Sequence, residues 1–261
     1  MIFDTHTHFN DEQLINNIDE DIRKAKFNNV VKFLCVGYDV ESSLEAVKIA
    51  NKYKEVYAAV GIIPTEWKKY DDDTINKIRE IARSSKKVIA IGEIGLDYYW
   101  ENAEEIKKIQ KEMFIRQIEL ANELDLPISI HARDSLQDVL DILKIHKVNN
   151  SGIMHCYSGS LELAKEFIKL GFYIAFGGVL TFKNSVKTKE IIKNIDINKV
   201  VFETDAPYLS PEPFRGRTNH VERIVETVKY ASNLLNIEQS ELERITFDNS
   251  LKSLHVKTYE E

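Results

Sequence analysis

Short runs of branched and aromatic apolar residues alternate along the whole chain with stretches whose apolar residues recur every three or four positions. The runs span Ile2 to Thr7, Val30 to Val36, Val56 to Gly61 and Val88 to Glu93. The same kind of run recurs at Pro127 to His131, Gly152 to His155, Phe172 to Phe176 and Val200 to Thr204. Most lack strict in–out alternation, the pattern of parallel strands buried on both faces. Between them, Leu14, Ile15, Ile18 and Ile22 fall at helical spacing, as do Ile75, Ile78 and Ile81. The longest predicted helix runs from Ile106 through Met113, Phe114 and Ile118 to Leu124. Val139, Leu140 and Leu143, then Leu163, Phe167 and Leu170, mark two more apolar stripes. Their opposite faces carry Lys and Glu, as solvated helix surfaces do.

Eight strand-then-helix units without a composition break predict an α/β fold, a parallel (β/α)8 TIM barrel forming one domain over residues 1–261. Its polar tail, Lys257 to Glu261, is expected to fray. The competing architecture, an open doubly wound sheet, would place a glycine-rich turn after the first strand. Here that strand ends in His6-Thr7-His8.

Composition narrows the class. An apolar fraction of 43% with 30% charged residues is ordinary for a globular chain, and no run approaches the ~20 apolar residues of a membrane span. The start, Met1-Ile2-Phe3-Asp4, has neither the basic nor the apolar region of a signal peptide. Two cysteines, Cys35 and Cys156, give no disulfide framework, so the expected compartment is the cytoplasm. A net charge of −7 excludes a protein that coats nucleic acid through a broad basic face. It leaves open an enzyme that acts on a phosphodiester, because bound cations and a few arginines supply positive potential locally. No obligate protein partner is evident.

The candidate chemistry sits at strand ends. Residues two apart on a strand share a face, so His6 and His8 point the same way, with Asp4 deeper. Composition alone would give roughly 0.2 His-x-His pairs in such a chain, so the pair is a signal. Glu93, His131, His155 and Asp205 end or follow four other strands, and in a parallel barrel all strand C-termini meet at one rim, where active sites of this fold lie. Taken singly, these are a surface acid, two core histidines and a helix cap; together they read as a metal site. Four imidazoles and two carboxylates exceed the needs of one catalytic ion with an open position. They suit a pair of divalent cations about 3.5–4 Å apart, with Glu93 as bridge. Mixed nitrogen and oxygen donors fit Zn, Mn or Mg.

The motifs Phe3-Asp4-Thr5-His6-Thr7-His8, Gly92-Glu93-Ile94-Gly95-Leu96-Asp97-Tyr98, His131-Ala132-Arg133-Asp134 and His155-Cys156-Tyr157-Ser158-Gly159 occur in that order. Glu203-Thr204-Asp205-Ala206-Pro207-Tyr208-Leu209 and Arg215-Gly216-Arg217-Thr218-Asn219 follow. In these the chain resembles, over essentially its whole length, the TatD-type metal-dependent deoxyribonucleases of the amidohydrolase superfamily. The resemblance implies a two-metal site of His6, His8, Glu93, His131, His155 and Asp205, supported by Mg or Mn. It also implies hydrolysis of DNA phosphodiesters, often from 3′ ends. Two positions depart from the family pattern: Ile63 stands where Gly-x-His-Pro would place histidine, and Val221 where proline is common.

In the catalytic scheme these residues suggest, the two ions activate water as a hydroxide, and Asp205 orients it and accepts its proton. Glu203, two residues back, supports the site from behind. Arg133 and Arg215 or Arg217 are candidate phosphate clamps, since a guanidinium matches phosphate in pairs of hydrogen bonds. Gly177-Gly178 near Lys183 lies where such barrels bind phosphate, and Tyr157 is a candidate to stack on a base. Cys35 is expected to be buried and inert, Cys156 to point away from the metals, His220 to lie at the surface near the arginine loop, and His146 and His255 to lie outside the site. Two other functions compete: hydrolysis of a carboxylic ester, lactone, cyclic amide or aminoacyl-tRNA by the same residues, and a non-catalytic metal-binding scaffold. No Walker loop or Gly-x-Ser-x-Gly elbow is present, which removes NTPase and serine-hydrolase chemistry.

Overall fold

The computed structural model of the protein describes residues 1–71 and 73–257; of the tail expected to fray, all but Lys257 lies outside them. The chain opens with β1 (Ile2–Thr7), α1 (Ile18–Phe27), β2 (Val30–Val36) and α2 (Val40–Lys52). It continues through β3 (Val56–Val60), α3 (Thr74–Arg83), β4 (Val88–Asp97) and α4 (Glu104–Leu124). Then come β5 (Ile128–Arg133), α5 (Leu136–Ile145), β6 (Gly152–Met154) and α6 (Leu161–Lys169). The last part holds β7 (Tyr173–Phe176), α7 (Val186–Asn194), β8 (Val200–Phe202), α8 (Ile224–Leu235) and α9 (Gln239–Ser253).

The strands form one eight-stranded sheet in the order β1 to β8, each paired in parallel with the next. That consecutive order is a barrel's, and it overturns the doubly wound alternative, whose strand order reverses. Side chains do much of the work of closing the seam between β1 and β8. Thr5 Oγ1 donates to the Phe202 carbonyl (3.0 Å), and the Asp4 carboxyl accepts from Thr204 N–H (2.9 Å) and Thr204 Oγ1 (2.6 Å). Beyond β8, Asp205 N–H donates to His6 O and His8 N–H to Ala206 O. Asp4 is therefore a clasp across the seam, and burial pushes its carboxyl up to about 8.

Apolar side chains fall into two buried layers. One joins the outer faces of the strands to the amphipathic faces of the surrounding helices, with Phe33, Ile91, Phe114 and Phe167 among its largest members. The other takes Phe3, Leu34, Ala59, Ala90, Ile153, Ala175 and Val201 from the strands, with Phe247, Leu251 and Leu254 from α9 and its C-terminal turn. None of its members comes from α1 to α8, so it is the inside of the barrel. The small alanines leave room for Phe3 and Phe247, and α9 plugs the end opposite the rim. Among the described residues no helix is long and apolar enough to cross a membrane.

Candidate metal centre

The six candidate ligands converge at the rim. His6 Nε2 and His8 Nε2 stand 3.2 Å apart, and the His6 ring stacks on His155 at a centroid distance of 3.5 Å. Glu93 Oε2 is 3.5 Å from His6 Nε2, and Glu93 Oε1 is 2.9 Å from His131 Nδ1 and 3.8 Å from His155 Nε2. Asp205 Oδ1 lies 3.4 Å from His8 Nε2 and 3.8 Å from His155 Nε2. Donor atoms of His6, His8 and Glu93 lie within 4.8 Å of one another, as do those of Glu93, His131 and His155. Glu93 belongs to both groups.

Local backbone features place these side chains. The β4–β5 register is interrupted between Ile91 and Ile94, and Glu93 N–H turns to the carbonyl of Gly37. The strand does not end at Glu93, as its apolar run suggested, but continues to Asp97. At Gly95, with φ +141°, a Cβ would lie 2.0 Å from the His131 carbonyl oxygen, so only glycine lets β4 approach β5 there. Asp205, just past β8, takes a left-handed φ of 55°.

Surrounding acceptors fix the ring tautomers. His8 Nδ1 is 3.0 Å from the Val36 carbonyl, which only accepts, so Nδ1 carries a proton. His155 Nδ1 likewise faces Glu203 Oε2 at 3.0 Å. In their neutral forms both rings then present bare Nε2 lone pairs to the carboxylates of Glu93 and Asp205. Acceptors facing acceptors in a buried site is an arrangement that a divalent cation resolves, so the donor set fits a metal. Without one, protons must serve. Burial opposes charge on His155, yet Glu203, Asp205 and Glu93 outweigh it and push the imidazole up to about 10. Asp97 and Glu93 overcome the same burial at His131, raising it to about 9. His6, buried and beside His155, is held below the usual range. Glu93 stays well below its usual range despite burial, because His131 and His6 face it.

Residues not proposed from the sequence complete the arrangement. Asp97 Oδ2 is 2.9 Å from His131 Nε2, while its Oδ1 accepts the backbone N–H groups of Tyr99 (2.9 Å) and Trp100 (3.3 Å). Buried on α4, Gln110 clamps the Asp97 backbone through both N–H and carbonyl (2.9 and 3.0 Å). One heptad on, Gln117 holds Ile62 in the same way (2.7 and 3.0 Å). Two glutamines seven apart within the apolar stripe of Met113, Phe114 and Ile118 are the signal that could have revealed this pair.

The site opens into a cavity of about 740 Å³ lined by Arg133, Trp100, Ile63, Gly177 and Leu180 among others. Ile63, standing where the family pattern has histidine, thus faces the cavity. Arg133 does too, with its guanidinium 3.6 Å over the Tyr99 ring. Arg215 is not in the cavity wall; it is exposed and stacks on Phe182 at 4.2 Å. Tyr157 lines the wall but is 4% exposed, and its hydroxyl donates to Ser160 O, which favours packing over stacking on a base. Arg217 and Lys183 are not in the lining either.

Two expectations are corrected. Cys156 does not point away: its Sγ lies within 4.8 Å of donor atoms of His155 and Asp205. β6 stops at Met154 and Cys156 takes a φ of 44°, so strand alternation no longer governs its direction. His220 lies outside the site but is half-buried rather than on the surface, 3.1 Å from Asp21. Cys35 is buried as expected, its thiol pushed up to about 12 by burial.

A parallel barrel with buried histidines and carboxylates gathered at its C-terminal rim defines a metal-dependent hydrolase of the amidohydrolase type. The family model described as TatD related DNase matches residues 3–255, and the chain belongs to that family. The uncharacterized metal-dependent hydrolase YabD of Bacillus subtilis (strain 168) is 39% identical over 257 residues, covering 98% of this chain and 100% of the relative. YcfH of Escherichia coli (strain K12), also an uncharacterized metal-dependent hydrolase, is 31% identical over 260 residues, covering 98% and 96%. The crystal structure of YjjV, a TatD homologue from Escherichia coli K12, superposes with a TM-score of 0.92 at 27% identity, covering 98% of each chain.

Proposed function

We propose that the protein is a deoxyribonuclease that hydrolyses DNA phosphodiester bonds from 3′ ends, as a single domain holding two divalent cations, Mg, Mn or Zn. The observation that carries this reading is the pairing of Glu93, common to two donor groups, with a guanidinium, Arg133, that forms no ion pair among the described residues and lines the same cavity. His6, His8 and Glu93 would hold one ion, with His131 and His155 completing the second group and Asp205 facing His8 and His155. Bound divalent cations supply a nucleophile at neutral pH and polarise a phosphoryl oxygen. The chain's residues do the rest. Asp205 orients the attacking water and takes its proton, the water oxygen bonds to phosphorus, and the bond to the leaving sugar oxygen breaks. Glu203 fixes His155, Asp97 fixes His131, and Arg133 donates to the non-bridging phosphate oxygens.

A second reading has one observation in its favour. Ile63, Val179 and Leu180 give one part of the cavity an apolar wall, which suits a carboxylic ester or lactone attacked by the same residues. The test is cleavage of end-labelled single- and double-stranded DNA by the metal-stripped protein resupplied with Mg, Mn or Zn. Stepwise shortening from the 3′ end supports the nuclease. Intact DNA together with turnover of an ester or lactone replaces it with the second reading.

A further inference from the structure

Two large aromatic side chains follow closely on β4, and the second of them, Trp100, lines the cavity. Tyr99 is 53% and Trp100 66% exposed, and their rings meet edge to face with centroids 4.9 Å apart. Single exposed aromatics are common, but this pair is neither isolated nor loose. Asp97 Oδ1 accepts both backbone N–H groups while Oδ2 faces His131 Nε2, so one buried carboxylate ties the aromatic pair to the metal centre. The register of β4 on β5 sets Asp97 beside Arg133, and the Arg133 guanidinium lies 3.6 Å over the Tyr99 ring and 5.5 Å from that of Trp100. Among the described residues Arg133 forms no ion pair, so aromatic faces rather than a carboxylate position it, and its N–H donors remain available.

We propose that Tyr99, Trp100 and Arg133 form a subsite for an unpaired nucleobase and its phosphate, with the base stacked on Trp100 and the phosphate held by Arg133. This deepens the nuclease reading and rests on it. Every base has a π-face, so such a platform tolerates sequence, and it can accept only a base released from its complement. A guanidinium seated on an aromatic ring keeps its charge and its planar donors aimed outward. The subsite therefore selects frayed or single-stranded ends over paired ones.

The test compares two single-stranded oligonucleotides, one with intact 3′-terminal nucleotides and one whose terminal residues are abasic. Wild type is expected to prefer the intact end in kcat/KM, mostly through KM, by about tenfold. In Trp100→Ala that ratio should collapse toward one, and Trp100→Phe should restore most of it. A ratio retained in Trp100→Ala overturns the subsite. The chain has two tryptophans, Trp67 and Trp100, so Trp67→Phe leaves Trp100 as sole reporter. Its fluorescence should be quenched by the intact oligonucleotide in the presence of EDTA, without turnover. Should wild type cleave no DNA, the nuclease reading fails, and this quench alone decides the subsite: its presence supports base binding and its absence overturns it.

Discussion

Glu203 grips His155 from behind: Oε2 is 3.0 Å from the ring Nδ1, and Oε1 accepts the Cys156 N–H at 2.7 Å. The carboxylate is fully buried, and both oxygens serve donors that an amide cannot satisfy together. In Glu203→Gln the NH2 group must oppose either the ring N–H or the Cys156 N–H. The tautomer that aims His155 Nε2 at Glu93 and Asp205 is then no longer favoured. Loss of a partner of this kind typically weakens metal binding by about 10–100-fold. Titration calorimetry with Zn or Mn should show that loss; unchanged affinity would mean that Glu203 only fills space.

Asp205, one of the six candidate ligands, is expected to matter more to proton transfer than to metal retention. Asparagine tolerates the left-handed backbone that Asp205 adopts, so Asp205→Asn should fold and retain metal. It cannot accept the proton of the attacking water, and kcat should fall by about 10²–10⁴-fold. Metal content by elemental analysis beside single-turnover rates makes the distinction. A metal-replete variant with the wild-type rate removes Asp205 from the chemistry.

Protons and metal compete for the same imidazoles. In the metal-free protein His131 and His155 are raised from 6.5 to about 9 and about 10, so both are charged at neutral pH. A ligating imidazole must be neutral, and loading therefore releases protons. Metal affinity should climb with pH from about 6.5 toward the raised values, by about tenfold per pH unit for each proton released. Stability of the metal-free form moves the other way. The stabilisation from these raised values is fully present below 6.5 and is lost as pH rises through 9 to 10. Denaturation of stripped protein across that range checks the sign, and a metal-free form that gains stability through it would contradict the assignment.

The parts of the site that the sequence disclosed are those governed by strand topology alone. His6, His131, His155 and Asp205 follow apolar runs, and a parallel barrel sends every strand end to one rim. What it concealed depends on local departures from regular strands and helices. Gly92 and Gly95 interrupt the apolar pattern of β4, so the strand seemed to end at Glu93 and Asp97 was left out of the site. Cys156 was misdirected because β6 ends two residues earlier. α9 carries buried Thr246, Asn249 and Ser250 beside Phe247 and Leu251, a mixture with no clear apolar stripe, and so it was not singled out.

Gln110 provides the means to test whether the backbone clamp on Asp97 matters to the metal centre. Its carboxamide is fully buried and satisfies both the N–H and the carbonyl of Asp97. Gln110→Leu fills similar space but leaves two buried backbone groups without this partner, at a cost of about 1–3 kcal/mol in unfolding free energy for each. Gln117→Leu orphans the N–H and carbonyl of Ile62 instead and should cost a similar amount. The two variants should then part company. Asp97 holds His131 and the backbone of Tyr99 and Trp100, whereas Ile62 holds neither, so Gln110→Leu should weaken metal binding more than Gln117→Leu at equal loss of stability. Denaturant unfolding paired with metal titration measures both quantities. Equal metal affinities in the two variants would show that the β4 terminus keeps Asp97 in place without help from α4.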